Sequence, residues 1–139
     1  DHDIEAAAGS SVPTIFARRG EAAFRDLERS AVAEAARADR RASVIAVGGG
    51  AVLDPANRRL LSESCRTVWL WLPPATAVSR IDVATRPVLD PDGPLASATG
   101  TLAARLPLYA AASTLIVNAS KSNAHQVAHR IKDEMDQTF

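Results

Sequence analysis

Three arginines and a run of glycines are the residues whose types could bind an anion. Arg25 lies three residues before Glu28, a spacing that brings two side chains to one face of a helix. Arg86 lies in a segment rich in proline and glycine, and Arg105 lies in the sequence ARLPLY. Because a guanidinium binds carboxylates and phosphates through a planar pair of N–H groups, these residues together predict a site for an anionic ligand.

The glycines are Gly48, Gly49 and Gly50, which directly follow the apolar sequence VIAV. Glycine lacks a Cβ, so a ligand can approach its backbone closely. Open α/β sheets bind ligands at the carboxyl ends of their strands. We therefore expect these glycines to line the anion site, although a flexible turn would also use them.

The elements that must position these residues alternate between strands and helices. The runs SVIAV (43–47), TVWLWL (67–72) and TLIVN (114–118) are largely apolar, which is typical of parallel strands covered on both faces. Helices are predicted over residues 3–8, 12–19, 21–38, 55–62, 74–82, 96–111 and 123–137. The alternation predicts an α/β fold, with a parallel sheet covered by helices, in one domain.

Local signals place several boundaries. Gly9 is predicted to end the first helix in a left-handed conformation, and Ser11 is predicted to begin the next. Gly20 separates that helix from the longest one. Residues 83–95 contain three prolines, one glycine and two aspartates. They predict a surface loop of a length that is often functional.

Composition argues against several classes of protein. Sixteen basic residues balance sixteen acidic ones without a basic stripe, which disfavours nucleic-acid binding. The single cysteine, Cys65, cannot form an internal disulfide and suggests a reducing compartment. No apolar run approaches the roughly 20 residues of a membrane span, and no signal peptide is recognisable, so we expect a cytoplasmic protein. His125 and His129 lack a third ligand, which favours a solvated helix face over a metal site.

Four ordered motifs resemble those of the shikimate kinases: GEAAFRDLE (20–28), VIAVGGGAVL (44–53), TRPVL (85–89) and RLPLY (105–109). The first 21 residues resemble the same family's substrate-binding region. The resemblance covers essentially the whole chain.

This resemblance implies a P-loop kinase fold of the nucleoside-monophosphate-kinase type, with a five-stranded parallel sheet. It also implies that ATP, with Mg²⁺, phosphorylates the 3-hydroxyl of shikimate in the biosynthesis of chorismate and aromatic amino acids. The expected partner is this small-molecule substrate, with no nucleic acid or membrane, and the complete protein is expected to be a monomer.

The resemblance also implies roles for individual residues at the substrate. Arg25 and Arg105 would bind the carboxylate of shikimate through charge-assisted hydrogen bonds. The shikimate ring and its hydroxyls would lie against Gly48, Gly49 and Gly50.

Other implied roles concern ATP. Residues 83–95 would form a lid, from which Arg86 closes over ATP and stabilises charge on the transferred phosphoryl group. Glu28 would orient Arg25 or the water shell of magnesium. Asn123, in NASKSNAH, would lie in the loop that contacts adenine. Residues 1–38 would form the substrate-binding region.

Asp1 is the implied catalytic carboxylate. The family has an Asp-x-Asp pair whose second member lies eight residues before the glycine that is Gly9 here, which points to Asp1. Asp1 would bind the substrate hydroxyl and accept its proton, and the first Asp, which assists magnesium, would precede this chain. An alternative alignment makes Asp1 and Asp3 the pair but needs a two-residue deletion. No residue of this chain is expected to ligate a metal directly.

The phosphate-binding motif G-x-x-x-x-G-K-[ST] does not occur in the sequence. In the family it precedes the Asp pair, so we expect the first two strands and the P-loop of the fold to lie outside this chain. We then expect the chain alone to be inactive and, with unpaired sheet edges, unstable or prone to aggregate. A partial sequence and a natural paralogue without a P-loop both fit.

Two other functions fit parts of the same pattern. One is a non-catalytic shikimate-binding module of a regulator, and the other is a related kinase such as one for gluconate. Arg25 and Arg105 favour shikimate over gluconate. Arg86 and Asp1 favour an enzyme, because a binding module needs neither a lid arginine nor a proton acceptor.

Overall fold

A computed structural model describes residues 1–38, 43–83, 86 and 88–137. The contacts divide the chain into a first unit, Asp1–Cys65 with Ala84–Val88, and a second unit, Arg66–Val83 with Leu89–Phe139. The helices and strands of the described residues are α1 (His2–Ala8), α2 (Val12–Arg37), α3 (Pro55–Ser64), β1 (Val68–Trp71), α4 (Pro74–Ser79), α5 (Pro94–Ala112), β2 (Leu115–Asn118) and α6 (Ala124–Asp136).

Two glycines with positive φ shape the helices of the first unit. Gly9 has φ 63° and ends α1, where its N–H donates to the carbonyl of Glu5. Gly20 has φ 77° and interrupts α2, between the two stretches that were predicted as separate helices. Both boundaries are confirmed, and both use a conformation that residues with a Cβ rarely adopt.

The core of the first unit lies along α2. Ile4, Ile15 and Phe24 form one buried cluster, in which the rings of Phe16 and Phe24 lie 4.8 Å apart. A second cluster joins α2 to α3 and to a 3₁₀ turn at Ala51–Leu53, through the side chains of Val32, Ala51 and Leu61. This cluster anchors the segment that follows the three glycines.

The second unit contains a parallel sheet. β1 and β2 pair in the register Val68 to Leu115. Helix α6 packs on this sheet through Val127, which forms a cluster with Val117 and Ala119. The predicted class, a parallel sheet with covering helices, is confirmed.

The predicted strand at 43–47 is wrong. Residues 43–48 adopt no regular structure, and the side chain of Val44 is 100 % exposed. Backbone groups form a strand only where a neighbour pairs with them, and among the described residues the sheet consists of β1 and β2. The expectation of strands covered on both faces is also wrong at Leu70 and Ile116, whose side chains are 50 % and 52 % exposed.

The loop predicted over 83–95 ends two residues early. Helix α5 begins at Pro94, because proline suits the first turn of a helix. Ala84, Thr85 and Pro87 lie outside the described residues. Among the helices that the described residues form, none combines the length and the apolar character needed to cross a bilayer.

Candidate functional site

Helix α2 brings Arg25 and Glu28 together. Nη1 of Arg25 donates a hydrogen bond of 2.8 Å to Oε2 of Glu28, whose side chain is 6 % exposed. A buried carboxylate is tolerated only when it is paired, so each side chain holds the other in place. The pair that was predicted from the spacing is confirmed.

Glu21 occupies another edge of the same guanidinium. Its Oε1 accepts hydrogen bonds from Nε of Arg25 at 3.2 Å and from Nη2 at 2.8 Å. Burial lowers the pKa of Arg25, but the hydrogen bonds to Glu28 and Glu21 together outweigh it, and the net pKa is raised above its ordinary value. Arg25 therefore stays positively charged at any physiological pH.

Two of the three glycines lie against this ion pair. A Cβ added at Gly50 would lie 2.1 Å from Nη1 of Arg25 and 2.7 Å from Nη2, and a Cβ at Gly48 would lie 3.0 Å from Oε1 of Glu28. These distances are shorter than a normal van der Waals contact. The missing Cβ at Gly50 thus lets the guanidinium lie against the backbone, whereas a Cβ at Gly48 would need Glu28 to shift by only a few tenths of an ångström. Gly49 between them is exposed.

Side chains at the start of α3 hold the turn after the glycines. Asn57 is 2 % exposed and its Nδ2 donates to the carbonyl of Ala51 at 3.1 Å. Nη1 of Arg58 donates to the carbonyl of Val52 at 2.6 Å. Sequence reasoning missed both residues. The available signal was Asp54 before a proline, which marks a helix start and would have placed them in its first turns.

Asp54 links this helix start to α2. Its Oδ1 accepts from the backbone N–H of Ala56 at 2.7 Å, and its Oδ2 accepts from Nε of Arg29. The hydrogen bond from Arg29 lowers the pKa of Asp54 below its ordinary value. Arg29 of α2 and the start of α3 therefore fix the end of the segment that carries the glycines.

The two residues predicted as catalytic lie close together in the first unit. Nη1 of Arg86 is 3.9 Å from Oδ2 of Asp1, and both side chains are about half exposed. Asp3, the other candidate in this region, is 93 % exposed and contacts His2. Of the motif around Arg86, Thr85 and Pro87 lie outside the described residues.

Arg105 and Asn123 belong to the second unit. Arg105 is half-buried on α5. Asn123 begins α6, where its Oδ1 accepts from the N–H of Gln126 at 2.9 Å and Oε1 of Gln126 accepts from the N–H of Asn123 at 3.0 Å. This reciprocal cap accounts for an asparagine here without a ligand, and its predicted contact with a nucleotide stays a prediction.

Potential metal ligands were also located. His125 and His129 are both exposed on α6. Over residues 1–38, 43–83, 86 and 88–137, no group of three or more His, Cys, Asp or Glu side chains could hold a metal ion.

A family model, similar sequences and similar solved structures all identify one family. The family model described as shikimate kinase matches residues 1–136. The chain is 44 % identical to a shikimate kinase of Frankia casuarinae over 91 % of its own length and 55 % of the relative's. It is 39 % identical to that of Halorhodospira halophila over 97 % of its length and 76 % of the relative's. The chain thus spans little more than half of one relative and about three quarters of the other.

Solved structures agree with these sequences. Shikimate kinase from Acinetobacter baumannii in complex with shikimate matches 99 % of this chain with a TM-score of 0.93 and 29 % identity, over 76 % of its own length. Shikimate kinase from Bacteroides thetaiotaomicron matches 99 % of this chain with a TM-score of 0.81 and 28 % identity, over 80 % of its own length. The chain belongs to the shikimate kinase family.

Proposed function

We propose that the protein containing this chain transfers a phosphoryl group from ATP to the 3-hydroxyl of shikimate, giving shikimate 3-phosphate for aromatic amino acid biosynthesis. The observation that carries the proposal is the ion pair of Arg25 and Glu28 against the glycine turn. The similar proteins add support, because the relatives are shikimate kinases and one solved neighbour is a complex with shikimate. The proposal concerns the whole protein, since the chain spans only 55 % of one relative.

Arg25 is the residue that we assign to the carboxylate of shikimate. It is a permanent cation, 19 % exposed, held by Glu28. A guanidinium fixed in this way loses little side-chain entropy when it binds a carboxylate. In this proposal Arg105 contributes a second cation, and the glycines at 48–50 leave room for the ring.

Asp1 and Arg86 are assigned to the chemical step. Asp1 accepts the proton of the 3-hydroxyl as the hydroxyl oxygen attacks the γ-phosphorus of ATP. The bond from that phosphorus to the bridging oxygen breaks, ADP leaves, and Arg86 stabilises the negative charge on the transferred group. Their separation of 3.9 Å supports a role at the same reacting group. ATP supplies the phosphoryl group, and Mg²⁺ neutralises its phosphates when bound. No step is assigned to a metal ligand of this chain.

Several sequence-based expectations accompany this proposal as predictions. They are the substrate-binding region 1–38, the lid 83–95, the nucleotide contact of Asn123, the monomeric state and the cytoplasmic location. The rival function, a shikimate-binding module without catalysis, shares Arg25 but needs neither Asp1 nor Arg86.

The test is a coupled assay of shikimate-dependent ADP formation by the protein as it occurs, including any sequence that precedes Asp1. Arg25→Ala is expected to raise the KM for shikimate at least tenfold and to leave the KM for ATP unchanged, because loss of a charge-assisted pair costs about 1.5–3 kcal/mol. Arg37→Ala removes an exposed arginine from the same helix and serves as the control.

The outcomes distinguish the kinase from the regulatory module and test the role of Arg25. Equal losses for both ligands would show that the role of Arg25 is assigned wrongly. Tight binding of shikimate without any turnover would favour the regulatory module. Failure of the protein to bind shikimate at all would exclude both functions.

A further inference from the structure

We propose that Glu21 competes with the carboxylate of the substrate for Nε and Nη2 of Arg25, so that the substrate binds by displacing Glu21. The inference rests on the proposed function, because it takes shikimate as the ligand of Arg25. It makes Glu21 a residue that sets the affinity of the site.

One end of the guanidinium is not available to a ligand. Nη1 donates to Glu28 at 2.8 Å, and Glu28 would be left as an unpaired carboxylate with a 6 % exposed side chain if this bond broke. Gly50 approaches the same end so closely that a Cβ there would lie 2.1 Å from Nη1. A ligand therefore gains little by competing at Nη1.

The edge formed by Nε and Nη2 is different. Both nitrogens of Arg25 donate to one oxygen, Oε1 of Glu21, at 3.2 Å and 2.8 Å. The side chain of Glu21 is 56 % exposed, so water can solvate its carboxylate after it moves away. Ion pairs of exposed side chains contribute little free energy. A ligand carboxylate could replace it and place one oxygen opposite each nitrogen.

The charges around Arg25 favour the displacement. Arg25 carries one positive charge, and Glu21 and Glu28 each carry a negative charge, so the three side chains sum to −1. An approaching carboxylate is repelled by this cluster as long as Glu21 remains beside Arg25. With Glu21 rotated into solvent, the remaining pair is neutral and the ligand meets a free guanidinium edge.

The test is calorimetric titration of the protein, as it occurs, with shikimate and with the uncharged methyl ester of shikimate. Glu21→Gln keeps the size of the side chain and removes its charge. It is expected to lower the Kd for shikimate about two- to fivefold, which corresponds to the worth of an exposed ion pair, and to leave the Kd for the ester unchanged.

Two further variants control for a structural effect. Glu34→Gln removes an equal charge from an exposed position of α2 and should leave both Kd values unchanged. Glu21→Asp keeps the charge but shortens the side chain, so its Kd for shikimate should lie between those of the unsubstituted protein and Glu21→Gln. A general loosening of Arg25 would instead weaken binding in both Glu21 variants.

The outcomes separate the two proposals. If shikimate binds and Glu21→Gln binds it equally or more weakly, Glu21 orients Arg25 and the competition is refuted, while the proposed function stands. If neither the unsubstituted protein nor Glu21→Gln binds shikimate, the proposed function fails and this inference with it.

Discussion

The guanidinium of Arg25 can lie against Gly50 because glycine lacks a Cβ. The conformational freedom of glycine plays no part. Gly50 has φ −87°, which any residue can adopt. Alanine at this position would leave the backbone unstrained but would meet the end of the Arg25 side chain. That end is also the partner of the buried Glu28 carboxylate, so moving it aside would leave Glu28 unpaired and cost stability as well as binding.

The effect of this close approach on stability and on binding is testable with Gly50→Ala. We expect the free energy of unfolding to fall by about 1–3 kcal/mol, since displacement of the guanidinium leaves the buried Glu28 carboxylate unpaired, and we expect a clear loss of shikimate affinity, since Arg25 loses its position. Gly100→Ala is the control, because its Cβ meets nothing within 4 Å in the exposed middle of α5. It should stabilise by about 0.5–1 kcal/mol and leave binding unchanged. A Gly50→Ala variant that binds shikimate normally would contradict the proposed role of Arg25.

At the scale of elements, Asp54 does two things at the start of α3. It caps the helix by accepting from the N–H of Ala56, and it joins α3 to α2 by accepting from Arg29. Asparagine can replace aspartate as a cap but cannot form the ion pair. Alanine can do neither.

The two roles can be separated by comparing Asp54→Asn with Asp54→Ala in urea unfolding. Asp54→Ala should be less stable than Asp54→Asn by about 1 kcal/mol at every pH, because it alone lacks the cap. The pKa of Asp54 is lowered in the folded protein, so its ion pair contributes stability above the ordinary value of 3.8, and that contribution is lost as the pH falls through the folded pKa. The difference in free energy of unfolding between the unsubstituted protein and Asp54→Asn should therefore shrink below pH 3.8. If the unsubstituted protein instead became more stable relative to Asp54→Asn as the pH falls, the ion pair would be refuted.

At the scale of the whole molecule, the two-stranded sheet of β1 and β2 exposes apolar side chains. Leu70 and Ile116 are 50 % and 52 % exposed, and Leu70 borders an open apolar groove that is also lined by Val127 and Ile131. An exposed apolar strand is a template for association with another chain.

The 139-residue polypeptide expressed by itself is therefore expected to self-associate at micromolar concentration, which sedimentation velocity can measure. Leu70→Thr and Ile116→Thr together should shift it toward the monomer. Leu95→Thr changes an equally exposed leucine (49 %) in the first turn of α5 and should have little effect. A monodisperse monomer with one cooperative thermal transition would contradict the expectation.

Local features of this protein were predictable because neighbours in sequence decide them. The pair Arg25–Glu28 follows from helical spacing, and the break at Gly20 follows from glycine between two helical patterns. Glu21 lies four residues before Arg25, so its contact is equally local, but helical spacing alone does not decide which of the nearby carboxylates pairs with Arg25, and Glu21 was missed. The strand at 43–47 was wrong because apolar composition cannot report whether a pairing partner exists.

The sequence by itself determined most of the helices, the family and the pairing of Arg25 with Glu28, since all of these follow from side-chain chemistry and short-range spacing. Only the tertiary structure decided how the site is built. It put Arg25 over Gly50, aimed Asn57 at the carbonyl of Ala51 and brought Arg86 to Asp1 across most of the chain. Such contacts depend on how packed elements meet, because an ion pair or a close approach needs ångström-level placement that no local pattern encodes.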